Sequence, residues 1–88
     1  MTFKQATNIH ISNLTSRGWA VSPALKVPHA TSPDGSFRLY FKPQAVYAAP
    51  GRAAIGQARS LHVDPRKVPT SALIREGRDL AAFLSSPY

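Results

Sequence analysis

The fold is decided by residues 19–47, which read WAVSPALKVPHATSPDGSFRLYFKPQAVY. Within this stretch, the segment SPDG at residues 32–35 predicts a tight turn. Proline presets the backbone φ of the first corner, and glycine accepts the positive φ that follows. An extended arm (residues 19–31) precedes the turn, and a strand (residues 36–41) follows it. The stretch therefore predicts a central antiparallel hairpin on which the rest of the chain packs.

The strand after the turn alternates between apolar and basic side chains. Successive side chains of a strand point to opposite faces, so one face of this strand is apolar and the other is basic with one aromatic ring. The apolar set is Phe37, Leu39 and Phe41, and the basic set is Arg38, Tyr40 and Lys42. We expect the apolar face to be covered by the flanking segments and the basic face to meet water or a partner.

Residues 2–17 predict a helix that ends at Ser16 or Arg17. Their apolar residues fit a helical stripe, and Gly18 is a typical helix stop. A strand is the alternative, because residues 8–11 alternate in polarity and contain β-branched side chains.

A second helix is predicted for residues 70–84, with Thr70 or Ser71 as its cap. One face of this helix is apolar and the other is charged, which is typical of a helix that covers a sheet. Its apolar stripe consists of Leu73, Ile74, Gly77, Leu80, Ala81 and Leu84. We expect Gly77 to allow close approach to the sheet, and the tail at residues 85–88 to fray. The stripe would also suit a partner's groove or a homodimer interface, but a lid over the chain's own sheet is the favoured interpretation.

The remaining segments complete the predicted architecture. Pro23 and Pro28 each remove a backbone donor, so the first arm should be an edge or bulged strand. Residues 48–57 predict a loop, residues 58–63 a third short strand, and residues 64–69 a rigid basic connector. The fold class is therefore α+β in the order α-β-β-β-α, with a three-stranded antiparallel sheet covered on one face by both helices.

Composition limits the class of protein. The chain has 88 residues, no cysteine, and eleven Lys and Arg against four acidic residues, for a formal charge of +7. A chain of this length forms one domain with one modest core, here residues 1–88. It contains no apolar run long enough for a secretory leader or a membrane span. We expect a cytoplasmic protein that does not insert into membranes.

Positive charge identifies the candidate binding surface. An exposed strand face with cations and an aromatic ring can hold single-stranded nucleic acid, because cations neutralise phosphates and rings stack on bases. A solvated basic face is the plainer alternative. The candidate binding residues lie on the second strand, in the following loop, around the third strand and in the connector: Arg38, Tyr40, Lys42, Arg52, Arg59, Arg66 and Lys67.

No residue pattern is typical of catalysis or of a metal site. His62 and Asp64 share one face of a strand end, but His10 and His29 are distant in sequence, and metal sites need three or four ligands with compatible geometry. Residues 51–56 have the glycine spacing of a phosphate-binding loop, yet the lysine and hydroxyl residue that must follow are missing. We therefore predict a protein that is not an enzyme and has no cofactor.

Two functions from different classes fit these observations. The first is a nucleic-acid-binding module, which could be regulatory, that uses the basic strand face and loop. The second is a protein-binding adaptor or inhibitor whose basic and aromatic face meets an acidic protein surface, as a phage or mobile-element factor blocking a host machine would. A continuous basic groove would favour nucleic acid, whereas a flat patch centred on exposed Trp19, Tyr40 or Tyr47 would favour a protein.

Overall fold

The structure, a computed structural model, describes residues 1–22, 27–42, 45–51 and 57–85. Within these residues the chain is α+β, as predicted, with two helices and five strands in a single antiparallel sheet. The strands follow one another across the sheet in sequence order. The elements are α1 (Phe3–Ser16), β1 (Ala20–Ser22), β2 (His29–Thr31), β3 (Phe37–Lys42), β4 (Ala45–Pro50), β5 (Arg59–Ser60) and α2 (Thr70–Leu84).

The prediction of three strands was wrong. The arm before the turn is not one strand but two, since β1 and β2 pair antiparallel with Val21 opposite Ala30. A loop was predicted to begin at Ala48, but this residue lies inside β4. All six residues of β4 pair with the six residues of β3. Alanine is depleted in strands, but Ala48 and Ala49 are fully buried here, and burial in the sheet outweighs their weak intrinsic preference.

The third predicted strand is shorter than expected. Residues 58–63 contain only the two-residue β5. Two residues after β5, His62 has a φ of 55°, a left-handed conformation that an extended strand does not accommodate, so the strand could not continue to residue 63. Of the predicted loop at residues 48–57, residues 52–56 lie outside the described residues.

The central turn is confirmed in detail. The amide of Gly35 donates to the carbonyl of Ser32 at 2.9 Å, and Gly35 has a φ of 74°. The carboxylate of Asp34 accepts from the Ser32 hydroxyl, the Ser36 hydroxyl and the Ser36 amide. These hydrogen bonds lower the pKa of Asp34 to about 2, and the bond from the Ser32 side chain makes the largest contribution to this shift.

The helix prediction for the N-terminal segment is confirmed. Thr2 caps α1 through a reciprocal pair of hydrogen bonds with Gln5. The helix buries Ala6, His10 and Leu14.

The second helix also lies where the sequence predicts it, but its start differs. Its N-cap is Pro69, which makes no side-chain cap, and Thr70 is already helical. Gly77 lies directly on the sheet, because a Cβ built there would come 2.5 Å from Leu39 Cδ2 and 3.3 Å from Phe37 Cε2. The expectation for Gly77 is therefore confirmed.

The core lies between the helices and one face of the sheet. Phe37, Leu39 and Phe41 of β3 form this core with Leu14 of α1 and Leu73 of α2. The single tryptophan closes one end of the core, edge-on to the ring of Phe37 at 5.1 Å between centroids. In the described part of the chain, no helix is long and apolar enough to cross a membrane.

Candidate functional site

The face of the sheet opposite the helices carries a row of aromatic side chains across three strands. Tyr40 at the middle of β3 lies opposite His29 of β2 on one side and Tyr47 of β4 on the other. Directly opposed residues of antiparallel strands point to the same face. The His29 and Tyr40 rings are 5.3 Å apart between centroids and tilted by 40°. We call His29, Tyr40 and Tyr47 the aromatic row.

The expectation that Tyr40 stands on an open, wet face was wrong. Tyr40 is only 5% exposed and belongs to a second apolar cluster with Ala49 and Ala58, against which Val27 and Tyr47 pack. Tyr40 is covered because residues outside its own strand pack on its ring, among them Ala49, which was predicted to lie in a loop and belongs to β4. It forms the floor of the row, and the half-buried rings of His29 and Tyr47 remain accessible at its ends.

Two cations flank the aromatic row. Lys42 Nζ lies 4.3 Å above the centroid of the Tyr47 ring, a cation–π contact. On the other side, Arg38 lies between Thr31 and Ala49 in the sheet register. Its Nε is buried and makes no hydrogen bond to the described residues, although a buried guanidinium donor normally has a partner. Both cations are half-buried rather than freely solvated.

The other predicted binding residues do not join this surface. Arg59 lies opposite Ala48, which in turn lies opposite Leu39, so Arg59 belongs to the helix-facing side of the sheet edge. The basic connector runs beside α1, where Arg66 and the exposed Lys67 are located. Arg52 lies outside the described residues. Among the described candidates, only Arg38, Tyr40 and Lys42 share one face.

Arg66 is engaged by its own neighbours. Its Nη2 lies 2.9 Å from Asp64 Oδ2, its Nε donates to the same carboxylate, and its guanidinium carbon lies 4.1 Å from the centroid of the Phe3 ring. The hydrogen bonds from Arg66 lower the pKa of Asp64 to about 2, and the carboxylate raises the pKa of Arg66. The charge of Arg66 is thus largely compensated.

A buried polar cluster links α1 to the start of α2. His10, 4% exposed, places Nε2 2.7 Å from the carbonyl oxygen of Pro65 and Nδ1 2.8 Å from the hydroxyl of Thr70. The carbonyl can only accept, so Nε2 carries a proton, and in the tautomer protonated there Nδ1 accepts from the Thr70 hydroxyl. That hydroxyl oxygen also accepts from Asn13 Nδ2 at 2.9 Å. We call His10, Asn13, Pro65 and Thr70 the His10 cluster.

The His10 cluster is structural, since both ring nitrogens of the histidine are occupied by the protein itself. Across the described ranges, no three His, Cys, Asp or Glu side chains are close enough together to hold a metal ion.

From the sequence, His29 was not predicted as a binding residue, and Tyr47 was named only as a possible centre of a protein-binding patch. Both are visible as aromatic residues in the hairpin, but only the pairing register brings them beside Tyr40. Had residues 45–50 been recognised as a strand pairing with residues 37–42, counting along the two strands would have found Tyr47.

Comparison of the chain with protein-family models, with curated proteins and with solved structures found no match in any of the three. Function is therefore inferred from the geometry of the sheet face. That face combines partly accessible rings with flanking cations, a combination suited to flat, anionic ligands.

Proposed function

We propose that this protein binds single-stranded nucleic acid through the aromatic row and its flanking cations. The observation that carries the proposal is the alignment of three aromatic side chains across β2, β3 and β4. Proteins that bind single strands use such rings as platforms, because every base has a face on which a ring can stack. Tyr47 and His29 are the rings with accessible surface, and the buried Tyr40 lies between them in the sheet.

The charges beside the row supply the second part of the interaction. Arg38 and Lys42 lie on the same strand face, one on each side of Tyr40 in sequence. Among the described residues the buried Nε of Arg38 has no acceptor, and a phosphate oxygen would supply one if the side chain turned toward it. The formal charge of +7 also raises the local concentration of polyanions.

The geometry favours single strands over duplexes. The bases of a duplex are stacked on one another, so their faces cannot meet Tyr47 or His29. A single strand can lay unpaired bases on these rings while its phosphates approach the cations.

The test is a titration of fluorescein-labelled twelve-nucleotide single strands of DNA and RNA, with duplexes of the same length, across a series of salt concentrations. Arg38→Ala and Tyr47→Ala are the informative variants, and Arg75→Ala on the exposed side of α2 is the control with a matched loss of charge. Each cation that contacts phosphate adds about 0.7 to the slope of log affinity against log salt for single strands.

Each variant has a distinct expected result. Arg38→Ala should weaken binding and make the salt slope shallower by about 0.7. Tyr47→Ala should cost about 1–3 kcal/mol of binding free energy, the usual contribution of one stacked base, and should leave the slope unchanged. If Arg75→Ala weakens binding as much as Arg38→Ala does, the interaction is a diffuse attraction to a basic protein and the proposal fails. Duplex binding as tight as single-strand binding would also contradict it.

A further inference from the structure

A separate groove runs between α1 and the end of the sheet. Its volume is about 540 Å³, within the usual range for ligand pockets, and its lining is mostly apolar. Phe3 and Phe41 provide the aromatic part of the lining, with Thr7 and Pro28 beside them. This groove is distinct from the aromatic row, although Lys42 touches both.

Each phenylalanine ring in the groove packs against another side chain that fixes its position. Phe3 lies against the guanidinium of Arg66, which is itself bound by the Asp64 carboxylate. Phe41 is 3% exposed and stacks on His10 with 6.4 Å between centroids and 18° between planes. His10 is in turn anchored by the two hydrogen bonds of the His10 cluster. A groove whose walls are already ordered costs little conformational entropy when it binds a ligand.

The rim of the groove is positively charged. Lys4 and Lys42 line it, and none of its other described lining residues is charged. Lys4 is exposed on the first turn of α1, where no acidic side chain accompanies it. The complementary ligand therefore has an apolar side chain for the pocket and negative charges on both sides of it.

We propose that this groove binds an acidic peptide segment of a partner protein. One aromatic or large aliphatic side chain of the segment enters the groove beside Phe3 and Phe41, and flanking carboxylates approach Lys4 and Lys42. Most of the accessible surface of the groove is apolar, although Thr2, Thr7 and Asn8 also line it. Such a surface suits an apolar peptide side chain better than a nucleobase, because burying the polar edge of a base there would cost free energy wherever it is not hydrogen-bonded. This site goes beyond the proposed nucleic-acid surface and does not depend on it.

The test uses the blocked peptide acetyl-Asp-Glu-Phe-Glu-Asp-amide, titrated into ¹⁵N-labelled protein. Chemical shift changes should concentrate at the amides of Lys4, Thr7 and Lys42. Replacing the peptide phenylalanine by alanine should weaken binding about tenfold or more, because burial of that side chain is lost. A peptide with lysines in place of its acids should not bind.

Lys4→Glu is the decisive protein variant, since this exposed side chain lines the groove and is not part of the aromatic row. It should weaken peptide binding about fourfold, because an attraction is lost and a repulsion of similar size is gained. Arg75→Glu, with the same change of charge on α2, should leave peptide binding within about twofold of the parent. Equal effects of Lys4→Glu and Arg75→Glu would overturn the proposal, as would shift changes that fall elsewhere.

The same variants separate this inference from the proposed function. Arg38→Ala, whose side chain does not line the groove, should weaken binding of oligonucleotides and change the affinity for the peptide no more than Arg75→Ala does. Lys4→Glu should affect oligonucleotides no more than Arg75→Glu does. If Lys4→Glu instead selectively reduces oligonucleotide binding and the peptide does not bind, the groove belongs to a nucleic-acid path and the peptide proposal is wrong.

Discussion

Replacing Thr70 by valine should destabilise the fold through the His10 cluster. Thr70 is 4% exposed, and its hydroxyl donates to His10 Nδ1 and accepts from Asn13 Nδ2. Valine has nearly the same shape but cannot make either bond. Leaving a buried acceptor such as His10 Nδ1 unpaired costs about 1–3 kcal/mol, whereas the less buried Asn13 can turn to water.

A smaller gain partly offsets this loss. The new methyl group is buried, which contributes up to about 0.8 kcal/mol. Threonine and valine have similar helix propensities, so the first turn of α2 should not change. The net expectation is a loss of about 1–2 kcal/mol in the free energy of unfolding. For a domain of this size, the melting temperature should fall by about 4–8 °C per kcal/mol.

Urea denaturation followed by tryptophan fluorescence measures this effect directly. The single tryptophan, Trp19, is 7% exposed in the core, so its emission should report on unfolding. Thr15→Val is the matched control, because Thr15 is exposed and its hydroxyl bonds only to the carbonyl of Ile11 in its own helix. Removing that hydroxyl should change the stability by no more than about 0.5 kcal/mol.

The reasoning would be refuted if Thr70→Val were no more destabilising than Thr15→Val. A double-mutant cycle with His10→Leu adds a second criterion. If the two side chains form one cluster, the two losses should be non-additive by at least about 0.5 kcal/mol. Additive losses would mean that the hydrogen bond between His10 and Thr70 contributes nothing to stability.

Two further predictions concern the packing of the second helix and the response to acid. Gly77→Ala should destabilise the protein by about 1 kcal/mol in urea denaturation, because overpacking against the buried Leu39 costs about 1–3 kcal/mol and outweighs the gain in helix propensity. The exposed Ala82→Gly variant should lose about 1 kcal/mol from propensity alone, and a stabilised Gly77→Ala protein would contradict the close packing. Asp34 and Asp64 have folded pKa values of about 2 against an ordinary 3.8, so their stabilisation is complete above pH 3.8 and is lost as pH falls through 2. Denaturation at pH 5 and pH 2 should show this loss in the parent and a smaller one in a D34N/D64N variant, whereas equal losses would exclude these carboxylates as a cause.

Local signals in the sequence were enough to predict the helices and the central turn. The apolar stripe of α1, the glycine stop after Arg17 and the apolar stripe of α2 each depend on residues a few positions apart. The turn at residues 32–35 also depends on local residues, since its hydrogen bonds join residues within the turn or directly beside it. Such short-range patterns do not depend on how the rest of the chain folds.

The number of strands could not be predicted in the same way. β1, β2 and β5 have only two or three residues each, too few for a periodic pattern to stand out. β4 contains three alanines and a proline, which reads as a loop until it pairs with β3. The stability of these strands comes from their neighbours in the sheet, which are distant in sequence.

The candidate site, too, could be predicted from the sequence only in part. The sequence alone determined that β3 presents Arg38, Tyr40 and Lys42 on one face, because strand geometry alternates side chains at every residue. Only the tertiary structure decided that Tyr40 is buried, since its burial requires Ala49 and Ala58 from other strands. It was likewise the tertiary structure that aligned His29 and Tyr47 with Tyr40 and joined His10 to Thr70, sixty positions away. The alternation of side chains is a property of a single strand. Register and burial depend instead on contacts between segments far apart in the sequence, and no local pattern specifies those contacts.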